Sequence, residues 1–284
     1  MPELPEVETI KLGLQKRIIG KTLTKVQILS PESFLGNPNM VRNKKISGIW
    51  RRAKLLGIDL DDKTILFHLK MSGQLIYEDD RRFIGGHPTP DMVGKMPNNH
   101  TRVIFNFSDG SHLYFNDQRR FGWVKVVGHG SSIMDQVLKN LGPEPLDNGF
   151  DWKILKTNLL KHKNMPIKVA IMDQTVVSGV GNIYANEACF GARLDPRTKV
   201  GDLGDKEFKK LHEGVIRVIK NGIKHGGSTR AHFVDPEGHK GYFLDYAYVY
   251  GRDKHPCKIC GTEIKKIQLG GRGTYFCPNC QKVK

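Results

Sequence analysis

Four of the five cysteines in this chain stand in its last 28 residues, as Cys257-x-x-Cys260 and Cys277-x-x-Cys280 with sixteen residues between the pairs. No other feature restricts the fold so tightly. Two Cys-x-x-Cys pairs at this separation fit a tetrahedral four-thiolate zinc site, with room for a β-hairpin between them. All four positions are thiolates, so the ion would keep no open position for catalysis. Its role would be structural, stabilising a unit too small to bury much on its own. Two disulfides or an iron–sulfur cluster are the alternatives. An intracellular setting opposes the first, and the lack of other cluster cues weakens the second. From residue 251 the unit carries eight Lys or Arg against two acids. Arg272 falls in the presumed hairpin, in Gly270-Gly271-Arg272-Gly273-Thr274, where glycines allow close backbone approach and an arginine suits phosphate.

The rest of the chain shares this basic character. Its 284 residues carry a formal net charge of +16, which favours a polyanionic partner, with nucleic acid the leading candidate. The length allows two or three domains with a buried core. The sequence has neither an apolar run long enough to span a bilayer nor a signal-peptide pattern, so a soluble, cytoplasmic protein is expected. The fifth cysteine, Cys189, lies in an apolar helical stretch and reads as a small buried hydrophobe.

Periodicity divides the chain. Residues 5–19 predict an amphipathic helix, with Pro5 in its first turn, Val7, Ile10, Leu14 and Ile18 on one face, and Gly20 as its stop. From 22 to 127 the signals are strands: 22–29, 64–70, 102–107, 112–116 and 123–127, with Ser108-Asp109-Gly110-Ser111 as a hairpin turn. This half reads as a β-sandwich or barrel, interrupted by an exposed loop over 78–101. The Gly142–Gly149 stretch reads as a linker. Beyond it, helices are expected over 152–160, 167–173, 182–190 and 206–224, the last behind an Asp205 cap. The fold class is therefore α+β and multidomain.

Two further segments carry chemistry. The chain begins Met1-Pro2-Glu3. With Met1 removed, Pro2 becomes a free secondary amine whose pKa, near 8 for an α-amino group, leaves more of it neutral than a lysine. Attack by such an amine on a sugar carbon gives an iminium, an electron sink, and Glu3 stands beside it to move protons. The bland reading is a common Met-Pro start with Pro5 beginning a helix. The second segment, Gln174–Tyr184, contains Ser178-Gly179-Val180-Gly181-Asn182 between two helical stretches. No strand precedes it, so it is weak evidence for a dinucleotide. A glycine-rich double turn between helices can instead aim backbone N–H groups at one phosphate, with Asn182 adding a side-chain donor and Lys163 and Lys168 just upstream. Otherwise Asn182 only caps its helix.

These residues fall in five separated anchors: MPELPEVET at the start, RRAKLL at 51–56, NDQRRFG at 116–122, MDQTVVSGVGNIYANE at 172–187, and YGRDKHPCKICG with GRGTYFCPNCQ at 250–281. Together they resemble the bacterial formamidopyrimidine-DNA glycosylases, almost end to end. The resemblance implies a helix-flanked N-terminal catalytic β-sandwich over 1–133, a linker over 134–150, a helix–two-turn–helix domain with a lesion-capping loop over 151–247, and a zinc finger over 248–284. It implies Pro2 as the nucleophile, Glu3 as proton donor and acceptor, Lys54 in β-elimination and phosphate binding, and Arg272 in phosphate binding and δ-elimination. Asn182, Lys163 and His100 match DNA-contacting residues. Met71, Arg119 and Phe121 match three side chains that fill the gap left by an extruded nucleotide, with Arg119 facing the orphaned base. By the same resemblance the Gly226–Tyr242 loop covers the extruded base, and its Thr229-Arg230 region contacts a purine through backbone N–H groups.

The implied activity is excision of oxidised purines (8-oxoguanine, formamidopyrimidines) from double-stranded DNA, followed by strand cleavage through β,δ-elimination. It implies one structural zinc, no redox or organic cofactor, and a monomer acting in the bacterial cytoplasm. Physical logic agrees: a base inside a duplex must be flipped out to be reached, and an apolar wedge offsets the lost stacking. The rivals are an endonuclease VIII-like glycosylase for oxidised pyrimidines and a non-catalytic zinc-finger protein that only binds nucleic acid.

Overall fold

The computed structural model describes residues 1–86, 91, 94–130, 132–228 and 243–282, with only the backbone of Ser132 and Ile133. The described chain divides into two compact units at Lys139/Asn140, the first also taking in Gly226–Ser228.

The first unit begins with α1 (Leu4–Ile18). Its expected apolar face is the face that is buried: Leu4, Val7, Ile10, Leu14 and Ile18 are each 0–1% exposed. Burial of each is worth about 1.5–3 kcal/mol, enough to fix a helix of this length. The helix packs on β3 (Lys44–Arg52) and β7 (Arg82–Gly86). The approach to β7 is so close that a Cβ at Gly85 would fall 2.6 Å from Ile10 Cγ1.

The strands join in one chain of pairings that folds on itself. The strands β1 (Thr22–Ile28), β8 (Thr101–Phe107), β9 (His112–Asp117), β6 (Gly73–Glu78) and β7 form one half in that order. The other half runs β3, β4 (Leu55–Leu60), β5 (Lys63–His68), β10 (Trp123–Gly128) and β2 (Phe34–Leu35). A short pairing, Thr22 with Lys45 and Leu23 with Lys44, joins them. Phe67 from β5 meets Phe105 from β8 and Phe115 from β9 edge-on, with ring centroids 5.5 and 6.3 Å away. The two halves therefore face each other across one core, as the sandwich expectation required.

Several elements depart from the sequence reading. The segment 78–101 is not wholly an exposed loop: β7 lies in it, paired with β6 from Gln74–Gly86 to Glu78–Arg82. Phe83 supplies the reason, being 7% exposed in the sandwich core. Strand β3 went unread because lysines, arginines and a glycine break its alternation, and β4 because it is apolar on both faces apart from Asp59. A helix, α2 (Ser132–Lys139), occupies the first part of the expected linker, leaving 140–150 as the irregular stretch.

The second unit holds α3 (Trp152–Leu160), the short α4 (Ile167–Ala170), α5 (Asn182–Gly191), α6 (Asp205–Lys224) and α7 (Phe243–Tyr246). Gly204, not Asp205, is the N-cap of α6. The cysteine-bearing segment docks on α5. Phe190 of α5 shares a core with Val249, Cys257, Ile264 and Cys277. Glu187, buried in α5, accepts the backbone N–H groups of Tyr248, Val249 and Tyr250 at 2.8–2.9 Å. Burial pushes its pKa up against the pull of those three donors. Between the cysteine pairs run β11 (Lys265–Leu269) and β12 (Arg272–Phe276), a hairpin whose turn residues Gly270 and Gly271 have φ of 55° and 70°. Two consecutive positive φ values make the tight turn that glycine adopts without strain.

The Sγ atoms of Cys257, Cys260, Cys277 and Cys280 all lie within 4.8 Å of one another, with Cys260–Cys277 at 3.5 Å and Cys257–Cys280 at 4.0 Å. A tetrahedron of Zn–S bonds needs sulfurs about 3.8 Å apart, so the four thiolates fit one zinc. Metal analysis should therefore return one zinc per chain, and a strong chelator should lower the melting temperature and abolish DNA binding together. Unchanged melting after complete zinc removal would contradict a structural role. Glu187→Gln, which turns an amide N–H₂ toward a backbone donor, should cost about 1–3 kcal/mol in urea unfolding.

Candidate active site

Everything proposed for the N-terminus depends on how α1 begins. Pro2 and Glu3 are buried, Glu3 to 2% exposure, and Met1 is half-buried ahead of them. The backbone N–H of Glu3 donates to Glu6 Oε2 at 2.7 Å. Glu6 is itself 2% exposed, and its Oε1 accepts the Ser228 N–H at 2.7 Å. One carboxylate thus ties the residue after Pro2 to the edge of the 226–242 segment. The approach there requires Gly227, whose φ is +82° and whose Cβ would lie 2.9 Å from Glu6 Oε1. Thr229-Arg230 lies outside the described residues.

Lys54 sits in the turn between β3 and β4, after Ala53 at φ +55°, and is 7% exposed. Arg51 holds this turn to α1. Its Nε donates to Glu8 Oε2 at 2.7 Å and its Nη1 to Ala53 O at 3.3 Å. Burial raises the Glu8 carboxyl, but its bonds to Lys11 and Arg51 outweigh that and hold it below the usual range. His68, at the end of β5, has its pKa pushed down to about 3 by burial and by the Lys70 and Lys54 charges, so the ring beside Lys54 is neutral.

Four of the expected DNA-contacting residues emerge from one end of the sandwich. Gly73 of β6 pairs with Asp117 of β9, and Thr101 of β8 pairs with Asn116. Met71 lies two residues before β6, His100 directly precedes β8, and Arg119 and Phe121 lie two and four residues after β9. The antiparallel register therefore brings all four together, although 50 residues of sequence separate the first from the last. Phe121 is 55% exposed, and the Arg119 guanidinium carbon lies 4.8 Å from its ring centroid. An exposed aromatic under an arginine is a surface suited to stacking on a base. His100 Nε2 lies 3.1 Å from Asp91 Oδ2.

In the second unit, Gln174 clamps the glycine turn. Its amide nitrogen donates to Met172 O and Val180 O, each at 2.8 Å, and its oxygen accepts the Gly179 N–H at 2.9 Å. This presents Asn182 as the first residue of α5. The N-cap is Gly181, so Asn182 does not cap its own helix. Its Oδ1 accepts Lys168 Nζ at 2.5 Å and its Nδ2 donates to Gly273 O at 3.1 Å. Gly273 follows Arg272, which is exposed at the start of β12. Asn186, one turn along α5, accepts the Tyr275 N–H at 2.7 Å. Asn182 and Arg272 are thus brought together. Lys163 lies in an exposed turn, and the lysine that meets Asn182 is Lys168, 0% exposed. A lysine set between apolar Ile167 and Val169 was the sequence signal for it.

Known proteins carry the same succession of domains. The formamidopyrimidine-DNA glycosylase N-terminal domain matches residues 1–124, the formamidopyrimidine-DNA glycosylase H2TH domain matches 141–233, and a zinc finger found in FPG and IleRS matches 254–283. A formamidopyrimidine-DNA glycosylase of Listeria monocytogenes is 38% identical over 287 residues, covering 99% of this chain and 100% of its own. One from Exiguobacterium sibiricum is 37% identical, covering 100% and 99%. Among solved structures, a Lactococcus lactis Fpg complex with abasic-site DNA superposes with a TM-score of 0.85 at 31% identity, covering 99% of both chains. Another, with N7-benzyl-Fapy-dG DNA, gives 0.85 at 31% identity, covering 99% of this chain and 100% of the other. Relatives above 30% identity, matched from end to end, establish that the chain belongs to the formamidopyrimidine-DNA glycosylase family.

Proposed function

We propose that this protein excises oxidised purines from double-stranded DNA with Pro2 as the nucleophile, then cuts the strand at the abasic site it has made. Membership of the family makes it a DNA glycosylase of base excision repair with AP-lyase activity. The observation that carries the residue-level reading is the anchored start of α1: an amine released at Pro2 would be held in place by a buried helix, not carried on a loose terminus.

With Met1 removed, the Pro2 nitrogen attacks C1′ of the damaged nucleotide. The glycosidic C–N bond breaks and the base departs with a proton. Glu3 protonates O4′ as the C1′–O4′ bond opens, leaving an iminium between Pro2 and C1′. The iminium acidifies the C2′ hydrogen, whose loss expels the 3′ phosphate from C3′. Loss of a C4′ hydrogen then expels the 5′ phosphate from C5′. Water hydrolyses the remaining Schiff base and returns Pro2. Lys54 and Arg272 place positive charge where these phosphates gather negative charge, which is where such charge lowers a barrier. Asn182 and Lys163 hold the phosphate backbone, His100 contacts DNA, and Met71, Arg119 and Phe121 occupy the gap. Zinc on Cys257, Cys260, Cys277 and Cys280 takes no part in the chemistry and fixes the hairpin that carries Arg272. Since every proposed role falls on one chain and the relatives are bacterial, we propose a monomer acting in the bacterial cytoplasm. Among the described residues no helix is long and apolar enough to cross a membrane.

Single-turnover assays on duplexes with one 8-oxoguanine or one thymine glycol test the substrate class. Oxidised guanine opposite cytosine should be processed at least about tenfold faster, leaving phosphates on both sides of a one-nucleotide gap. Arg272→Ala should shift the products toward the β-elimination end. Faster excision of thymine glycol would replace this reading with the endonuclease VIII-like one.

A further inference from the structure

The gap-filling side chains come from two separate turns, one before β6 and one after β9. For them to enter a duplex as a unit, something must hold the turns together, because exposed loops are mobile by default. The candidate is a carboxylate to which neither sequence nor family resemblance assigned a role. We infer that Asp117 is the positioning residue that locks Met71, Arg119 and Phe121 into one pre-formed wedge.

Asp117 ends β9 and is 0% exposed. Three donors converge on its side chain. Ser72, next to Met71, gives its hydroxyl to Oδ1. Arg119 gives its backbone N–H to the same oxygen at 3.2 Å, and Gly122, next to Phe121, gives its N–H to Oδ2 at 2.6 Å. The Ser72 hydroxyl closes the circuit by accepting the Arg119 N–H at 3.0 Å. Each turn that bears a wedge residue is therefore bonded to one carboxylate at a residue adjacent to, or identical with, the wedge residue.

The backbone of Asp117 extends the hub. Its carbonyl accepts Arg102 Nε at 2.8 Å, and its N–H donates to His100 O at 2.9 Å. Gly122 is required by the same geometry, since a Cβ there would stand 2.8 Å from Phe115 Cζ and 3.0 Å from Asp117 Oδ2. A buried carboxylate is costly to desolvate and persists only when its oxygens are satisfied. Here they are satisfied by the wedge turns. Ordering the wedge before DNA arrives removes an entropy cost from the extrusion step, where the stacking of the damaged base must be replaced at once.

The inference rests on the proposed gap-filling role of the trio, so the experiment separates the two. Full-length zinc-loaded protein carrying Asp117→Asn, Ser72→Ala, Arg119→Ala, or Asp117→Asn with Arg119→Ala is compared with the parent at saturating enzyme. The assays are single-turnover excision of 8-oxoguanine opposite cytosine and cleavage at a preformed abasic site, which has no base to unstack. Stopped-flow 2-aminopurine fluorescence beside the lesion reports extrusion directly. Asp117→Asn should slow extrusion and excision by on the order of 10- to 100-fold, the range expected for losing hydrogen bonds to a charged acceptor. Abasic-site cleavage should change by less than about threefold, and the double variant should be no slower than Arg119→Ala. Ser72→Ala, which keeps the carboxylate and loses only the hydroxyl link, should shift extrusion in the same direction by a smaller factor. It carries the test if Asp117→Asn fails to fold. Equal losses on both substrates, additive losses in the double variant, or normal extrusion in Ser72→Ala and Asp117→Asn would overturn the positioning role. Normal extrusion in Arg119→Ala would overturn the gap-filling reading and this inference with it.

Discussion

A chain terminus is ordinarily the loosest part of a protein, and a nucleophile cannot be loose. Reactive groups must be held within a fraction of an ångström of their attack geometry. With Pro2 as the proposed nucleophile, that constraint would be met here because the first residues are the buried head of a helix. Five apolar side chains of α1 are removed from water against the sandwich. The unpaired N–H groups that every helix start carries then have to be satisfied out of solvent. Glu6 satisfies the Glu3 N–H with one oxygen and that of Ser228 with the other. The carboxylate that caps the buried helix would thus also hold the proposed nucleophile in position.

The second unit solves a parallel problem. A zinc hairpin of this size buries little apolar surface and would not hold an arginine steady by itself. It is bound to α5 by hydrogen bonds at Gly273 and Tyr275 and by the Glu187 clamp on Tyr248, Val249 and Tyr250. The lysine beneath this contact is the expensive element, because an ammonium taken from water costs several kcal/mol unless it is paired. Lys168 meets Asn182 Oδ1 and so orients the amide, leaving its nitrogen toward Gly273. Lysine and asparagine together fix where the hairpin turn stands relative to the start of α5.

How much of this could be read from the sequence follows from the range of each interaction. The helices α1, α3, α5 and α6 and the hairpin β11–β12 rest on local periodicity, turn residues and cysteine spacing, and all were legible. So were Pro2 and Glu3 as candidates, since their chemistry is carried by neighbouring residues. Strands β3 and β4 were not: charged residues obscure the alternation of β3, and β4 is buried on both faces, so it shows no alternation to read. Strand β7 was hidden by the polar turn at 79–81, and only its pairing with β6 and the burial of Phe83 define it. The pairing of Lys168 with Asn182 depends on how α4 packs against α5. The convergence on Asp117 depends on the β6–β9 register, which a single sequence does not state. In both cases the residues were in view, and what was missing was the long-range contact that decides between neighbours such as Lys163 and Lys168.

The central claim is that the terminal amine of Pro2, not a lysine, forms the covalent bond to DNA. Borohydride reduction during turnover on an 8-oxoguanine duplex, followed by digestion and mass spectrometry of the crosslinked peptide, addresses it directly. The expected result is one DNA-bearing peptide, lacking Met1 and modified at Pro2, that disappears when Met1 is retained. A crosslink mapped to Lys54 or any other lysine, or trapping that persists with Met1 in place, would contradict it.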